Sequence, residues 1–382
     1  MTAAPTLPAL LPTYAPYPFP VVRGEADRIF DDAGQAYWDF YGGHCVCATG
    51  HGHPTVVKAV ADQAATLLFY SAAASLPVRD AAAVAITAFA GMDSVFFCNS
   101  GAEANENALK LALLLTGRPK LAAFEGGWHG RTTLALSVTD DPKITAPFAA
   151  HLTSCLRLPF GDLVALEAAD FSEVAAVILE PIQSMAGIKT APLDWFWALR
   201  AKCDAAGTLL VFDEIQTGMG RLGTPFAAQF YGVRPDLITS AKGLASGVPM
   251  GAVLMTAAVA ARLKPGDLGS TFGGGPLACA ALLATVDALQ AEAMPANASA
   301  AAARLRQELA GTAVTEVLGE GLLLGLRCAR AAALKQHLLA NRILVGGSGD
   351  PTVLRLMPPL NVSTAALDAL VTAIHAFQPE QP

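Results

Sequence analysis

Charge is scarce in this sequence of 382 residues: Asp, Glu, Lys and Arg together make up 15% of it, against the roughly 25% of an ordinary globular chain. Hydrophobic residues make up 53%, the opposite of the balance that keeps a chain disordered. Lys plus Arg number 25 and Asp plus Glu 32, a net charge of −7, and no Lys/Arg-rich run occurs. The basic face on which nucleic-acid binding depends is therefore missing, and no nucleic-acid partner is expected. A long apolar run is missing too. The uncharged stretch Gly269 to Val286 is broken by Gly273-Gly274-Gly275-Pro276, so no membrane span is expected. The first charged side chain is Arg23, so the start lacks the basic region of a secretory signal, and a cytoplasmic location is expected. The seven cysteines (45, 47, 98, 155, 203, 279 and 328) are odd in number and scattered. That suits reduced thiols in a cytosolic protein better than a disulfide framework. With so little charge to cover a large surface, part of that surface is expected to lie in a subunit interface.

The length fits two or three domains, and no internal repeat is found. The chain opens on a proline-rich arm (Pro5, Pro8, Pro12, Pro16, Pro18, Pro20) suited to lying extended over a surface. Apolar runs at Ser94–Asn99, Lys120–Phe124, Val174–Glu180, Thr208–Asp213, Asp236–Ser240 and Ala252–Thr256 lack clean alternation and read as strands covered on both faces. Helical patterns such as Glu103–Leu115 and Leu193–Ala206 lie between them. This rhythm predicts an α/β fold whose large domain holds a mostly parallel, mixed sheet. A long Ala/Leu helix (Leu277–Gln290) leads into a second pattern, with strands at Leu322–Leu326 and Val353–Leu356 and helices at Ala331–Ala340 and Thr364–Phe377. The division predicted is an N-terminal arm with part of a small domain (1–53), a large domain (54–290) and a C-terminal small domain of α+β type (291–382).

Two charges stand at the ends of apolar strands: Asp213-Glu214 after Leu209-Leu210-Val211-Phe212, and Lys242 after Asp236-Leu237-Ile238-Thr239-Ser240-Ala241. Either alone is an ordinary strand end. Together they suit pyridoxal phosphate: a desolvated lysine amine bonds the cofactor's aldehyde, and a carboxylate keeps its pyridine nitrogen protonated. Asn99-Ser100-Gly101-Ala102-Glu103 follows another strand and has capping-box spacing. Gly101 would let a backbone approach a ligand, and a helix start can hold a phosphate. Gly127-Trp128-His129-Gly130-Arg131-Thr132 offers an aromatic face to stack on a ring and an arginine fork for a carboxylate. Gly269-Ser270-Thr271-Phe272-Gly273-Gly274 is a hydroxyl-bearing turn, and Arg355 is a charge inside the apolar run Leu354-Arg355-Leu356-Met357.

The run Leu210–Gly223, followed by Asp236–Lys242, resembles the signature of class III pyridoxal-phosphate-dependent aminotransferases. The likeness extends from about Trp38 to Pro359 and is strongest to acetylornithine aminotransferases. It implies a fold-type-I homodimer with active sites shared between subunits. It implies Lys242 as the lysine bonded to the cofactor and the carrier of the proton, and Asp213 as the partner of the pyridine nitrogen. Ile215 would lie against one ring face, Gln216 near the phenolic oxygen, and Trp128 would stack on the ring. Ser100, Gly101 and Ala102 would form the phosphate loop, with Ala102 where many relatives carry Thr. Ser270 and Thr271 would reach the phosphate of the neighbouring subunit, with Gly275 replacing the usual Asn. Arg131 and Arg355 would bind substrate carboxylates, and His44 would line the substrate pocket. Related ω-aminotransferases carry Glu-Pro-x-Gln-Gly-Glu, whose last acid masks the arginine when an ω-amine binds. Here the segment is Glu180-Pro181-Ile182-Gln183-Ser184-Met185, and Met185 cannot form that ion pair.

The activity implied moves an amino group from an ornithine-type donor to a 2-oxo acid, 2-oxoglutarate, through a pyridoxamine phosphate form. A 4-aminobutyrate or other ω-amino acid aminotransferase, or an aminomutase, stays open. Two rivals come from the residues themselves. Gly218-x-Gly220-x-x-Gly223 fits a dinucleotide fingerprint, but Asp213–Thr217 separates it from the strand. Cys45-x-Cys47 with His51-x-His53 could form a metal-binding module, although the spacing matches no common structural site, and no metal is expected.

Overall fold

Strand parity organises the molecule. The computed structural model describes residues 10–378 apart from 12 and 15, so Pro5, Pro8 and Pro12 of the arm lie outside the described residues. The strands are β1 (Arg23–Glu25), β2 (Arg28–Phe30), β3 (Ala36–Asp39), β4 (Ser94–Cys98), β5 (Lys120–Phe124), β6 (Cys155–Leu158) and β7 (Val174–Leu179). After them come β8 (Leu209–Asp213), β9 (Leu237–Ser240), β10 (Gly251–Met255), β11 (Glu316–Glu320), β12 (Leu323–Arg327), β13 (Ile343–Leu344) and β14 (Val353–Leu356). The central sheet has the order β4-β10-β9-β8-β7-β5-β6. All its pairs are parallel except those of β10, which runs antiparallel to both neighbours. The fold is α/β with a mostly parallel, mixed sheet, as the apolar runs predict.

Within each strand successive side chains point to opposite faces. Leu210 and Phe212 of β8, Ile238 of β9 and Leu254 of β10 enter one buried cluster. Val211, Leu237, Val253 and Met255 enter the other, with Ala104, Ala108, Leu109 and Ala112 of the helix Gly101–Thr116. That helix therefore covers the second face, and Asp213, two residues beyond Val211, points toward it.

Two smaller sheets flank the central one. In β1-β2-β3-β13 the last pair is parallel, Ile343 beside Trp38, so the N-terminal strands close against a strand from late in the chain. The amide of Met357 donates to the carbonyl of Phe40 at 2.7 Å, extending that seam. The third sheet, β11-β12-β14, is antiparallel, and its middle strand sits one residue later than the predicted Leu322–Leu326. The arm packs on the first sheet through Phe19, whose ring stacks on Tyr37 at 4.2 Å. Among the described residues no single helix is long and apolar enough to cross a membrane.

Candidate active site

Parallel strands bring their carboxyl ends to one edge, and in open α/β sheets that edge carries the ligand crevice. Here it carries a cavity of about 540 Å³. Its lining includes Asn99–Ala102 after β4, Trp128–Arg131 after β5 and Glu180 after β7. It also takes Asp213, Ile215 and Gln216 from the end of β8, and Ala241 and Lys242 from beyond β9. Antiparallel β10 begins at the same edge, so Pro249 and Met250 line it as well. The dispersed segments of the sequence thus meet because their strands share a direction.

Asp213 is buried, and its Oδ2 accepts from Asn105 Nδ2 at 2.8 Å and faces His129 Nδ1 at 2.8 Å. Asn105 lies on the covering helix, as the parity of β8 requires. Its amide also donates to the main-chain oxygen of His129 at 2.7 Å, and its Oδ1 accepts from Thr239 Oγ1 at 2.6 Å. The carboxylate is thus held from two sides. His129 Nε2 is buried and, among the described residues, makes no hydrogen bond.

Lys242 adopts a left-handed φ of +49°, and among the described residues no hydrogen bond reaches its amine. Burial pushes its pKa down, opposed by Cys45 and by the charges of Asp213 and Glu180. Glu180 accepts from the amides of Trp128 at 2.9 Å and Ser184 at 3.3 Å. Burial first, and the charge of Asp213 second, raise its pKa.

At the phosphate-loop candidate, Ser100 Oγ caps the helix by accepting from the amide of Glu103 at 3.2 Å. The Glu103 carboxylate reaches back to the amide of Asn99, one residue before the N-cap, at 2.8 Å. The expected capping box is thus present in a form lengthened by one residue. Gly251 explains how β10 passes so near: a Cβ there would stand 2.3 Å from the carbonyl oxygen of Ser100.

Arg355, on β14, is buried. Its Nε donates to the carbonyl of Gly347 at 2.6 Å and its Nη1 to Ser184 Oγ at 2.9 Å. Ser184 Oγ in turn donates to Gln216 Oε1 at 3.0 Å. Burial pushes the Arg355 pKa down. Arg355 does not line the cavity itself, yet its charge helps lower the pKa of Lys242. His44 stands in a left-handed turn with Gly42, Gly43 and Cys45, its ring against the Tyr41 hydroxyl. Burial, then the charges of Arg355 and Lys242, lower its pKa. Arg131 is exposed at the cavity rim, its guanidinium carbon 5.3 Å from the centre of the Trp128 ring. Ser270 and Thr271 lie outside the cavity. Ser270 Oγ accepts from Asn99 Nδ2 at 3.2 Å, and Thr271 is exposed beside Phe272.

Asn105, His129, Glu180, Ser184 and Tyr14 were not singled out from sequence as site residues. The first four lie inside or beside motifs that were, and strand parity is the signal that would have picked out Asn105. The metal reading loses its geometry: His51 Nε2 lies 2.8 Å from Asp39 Oδ2, and His53 Nε2 lies 2.9 Å from Glu292 Oε1. Among the described residues no group of three or more His, Cys, Asp or Glu side chains is placed to hold an ion. The Gly218–Gly223 run leads not into a long helix but into a short one, Ala227–Tyr231, whose first amides are taken by Glu214.

The chain belongs to the class III aminotransferase family, whose model matches residues 11–377, and it is a pyridoxal-phosphate-dependent aminotransferase. It is 38% identical over 378 residues to the acetylornithine aminotransferase of Nitrosomonas europaea, covering 96% of each chain. It is 42% identical over 372 residues to that of Streptomyces coelicolor, covering 96% of this chain and 92% of that one. The crystal structure of the ornithine aminotransferase from Toxoplasma gondii ME49 superposes with a TM-score of 0.90 at 31% identity, over 96% of this chain and 91% of that one.

Proposed function

We propose that this aminotransferase takes the amino group of an ornithine-type donor, an acylated ornithine or a related ω-amino acid, and passes it to 2-oxoglutarate. Near-full-length likeness to acetylornithine aminotransferases supports the donor class. The observation that carries the site reading is the pair of strand ends β8 and β9, which bring into one cavity a buried, doubly held Asp213 and the Lys242 amine, which has no hydrogen bond among the described residues.

The residues suit the cofactor. The helix start at Ser100-Gly101-Ala102 offers main-chain N–H groups to a phosphate, and Gly251 keeps that approach open. Asp213 would hold the protonated ring nitrogen, Ile215 and Trp128 the ring faces, and Gln216 the phenolic oxygen. Bound there, pyridoxal phosphate supplies an aldehyde that takes up the amino group and a cationic ring that draws electrons from the bond broken at the substrate carbon. Lys242, its pKa lowered by burial, is suited to take a proton from the substrate carbon and to return one. Arg355 and Arg131 would hold carboxylates, and His44 would border the substrate. The arm (1–53), large domain (54–290) and small domain (291–382) form part of the same reading, supported by the pairing of β13 with β3. So does a homodimer in which a second copy covers the exposed Leu68, Tyr70 and Phe272 and brings Ser270 and Thr271 to the neighbouring site.

A half-reaction screen tests the proposal. Holoenzyme mixed singly with N-acetylornithine, ornithine, 4-aminobutyrate and glutamate, without acceptor, should lose the cofactor's visible absorbance with at least one ornithine-type donor and recover it on adding 2-oxoglutarate. Loss with 4-aminobutyrate alone would transfer the assignment to that donor. No loss with any of them would remove the reading. Borohydride trapping followed by peptide mass analysis should place the cofactor's mass on Lys242.

A further inference from the structure

A buried guanidinium is ordinarily matched by a carboxylate, because an unpaired buried charge is costly. Arg355 departs from this: both hydrogen bonds it makes among the described residues go to neutral oxygens, the carbonyl of Gly347 and the hydroxyl of Ser184. Among the described residues its positive charge therefore has no fixed counter-ion.

Ser184 is built to hold that arrangement. It is fully buried, at 0% exposure. Its amide donates to Glu180 Oε2 at 3.3 Å, and its carbonyl accepts from the amides of Gly187 and Ile188, each at 3.3 Å. The hydroxyl has one proton and accepting lone pairs. Arginine can only donate, so a lone pair faces Arg355 while the proton goes to Gln216 Oε1. One neutral side chain, fixed at its amide, carbonyl and hydroxyl, thus joins the arginine to a residue of the cavity wall.

We infer that Ser184 is a specificity-determining positioning residue: its neutral clasp on Arg355 keeps the guanidinium presented, uncompensated, to the carboxylate on the reacting carbon of glutamate and 2-oxoglutarate. This rests on the aminotransferase reading above and concerns its glutamate and 2-oxoglutarate half-reaction; an ornithine-type donor reacts at a carbon that bears no carboxylate and does not use this bond. Ligands bearing that carboxylate gain a charge-assisted bond. Ligands lacking it leave a buried cation unmatched. The chain should accordingly favour glutamate over 4-aminobutyrate and 2-oxoglutarate over succinic semialdehyde, pairs that differ only in that group.

The test is equilibrium binding of two unreactive acids to holoenzyme, by calorimetry. Glutarate carries both carboxylates of glutamate, and butyrate lacks one. Loss of a hydrogen bond that orients a charged group corresponds to roughly a tenfold change. Ser184→Ala should therefore weaken glutarate about tenfold while leaving butyrate within about twofold, with melting temperature and bound cofactor retained. Ser184→Asp, which adds a competing anion, should weaken glutarate further and reduce the glutamate to 4-aminobutyrate ratio of kcat/KM in the same direction. If Ser184→Asp does not fold, Ser184→Ala decides alone. Unchanged glutarate binding, or equal losses for glutarate and butyrate, would overturn the inference. Binding is read without turnover, so a wild-type enzyme that converts no donor would sink the proposed function while the role of Ser184 is still decided.

Discussion

Replacing His129 with phenylalanine keeps a buried ring in place and removes a single nitrogen from beside Asp213. His129 Nδ1 lies 2.8 Å from Asp213 Oδ2, the oxygen that Asn105 also contacts at 2.8 Å, and both residues are shielded from water. A hydrogen bond to a charged group contributes about 1.5–3 kcal/mol. At about 1.4 kcal/mol per decade, His129→Phe should lower kcat by roughly ten- to a hundredfold if Asp213 works through its charge. The readout that separates this from lost packing is a double-mutant cycle with Asp213→Asn. In the Asn background no carboxylate remains to be oriented, so the further loss from His129→Phe should shrink to less than about threefold. The assay is single-turnover kinetics at saturating donor, with the melting temperature and cofactor content of each variant recorded. Full additivity of the two substitutions would refute the reasoning, because His129 would then act independently of Asp213.

Two other perturbations follow from the same geometry. Gly251→Ala puts a methyl group 2.3 Å from the carbonyl of Ser100. It should displace the helix start and strip cofactor on gel filtration, and full retention would contradict the role given to that close approach. Glu214 is buried and its pKa is raised from 4.5 to about 7, burial outweighing the amides of Ala227 and Ala228. The folded protein therefore holds this proton more tightly than the unfolded chain. The resulting stabilisation, at most about 3 kcal/mol, is present in acid and lost as pH rises from about 4.5 through 7. Glu214→Gln should flatten the fall of melting temperature across that window, and parallel curves for variant and parent would count against it.

Much of this was legible because strands covered on both faces leave continuous apolar runs, and a charge closing such a run stands out. Asp213 and Lys242 are visible for that reason. β6 was missed because it is a four-residue strand at the sheet edge interrupted by Arg157, and β1 to β3 because they are short and carry charges. The left-handed φ of Lys242 leaves no trace in residue type. The contact of Ser184 with Arg355 spans 171 positions and depends on how β14 meets the turn after β7, which local pattern does not encode.

Glu180 shows how the two sides of the cavity are joined. One of its oxygens takes the amide of Trp128 and the other the amide of Ser184. A single buried carboxyl thus fixes the residue proposed to stack on the cofactor ring and the residue that clasps the arginine. Because burial and the charge of Asp213 both favour its protonated form, a second full negative charge beside Asp213 is disfavoured. In the proposed reading, this leaves Asp213 for the cofactor ring and the positive charge of Arg355 for a substrate carboxylate.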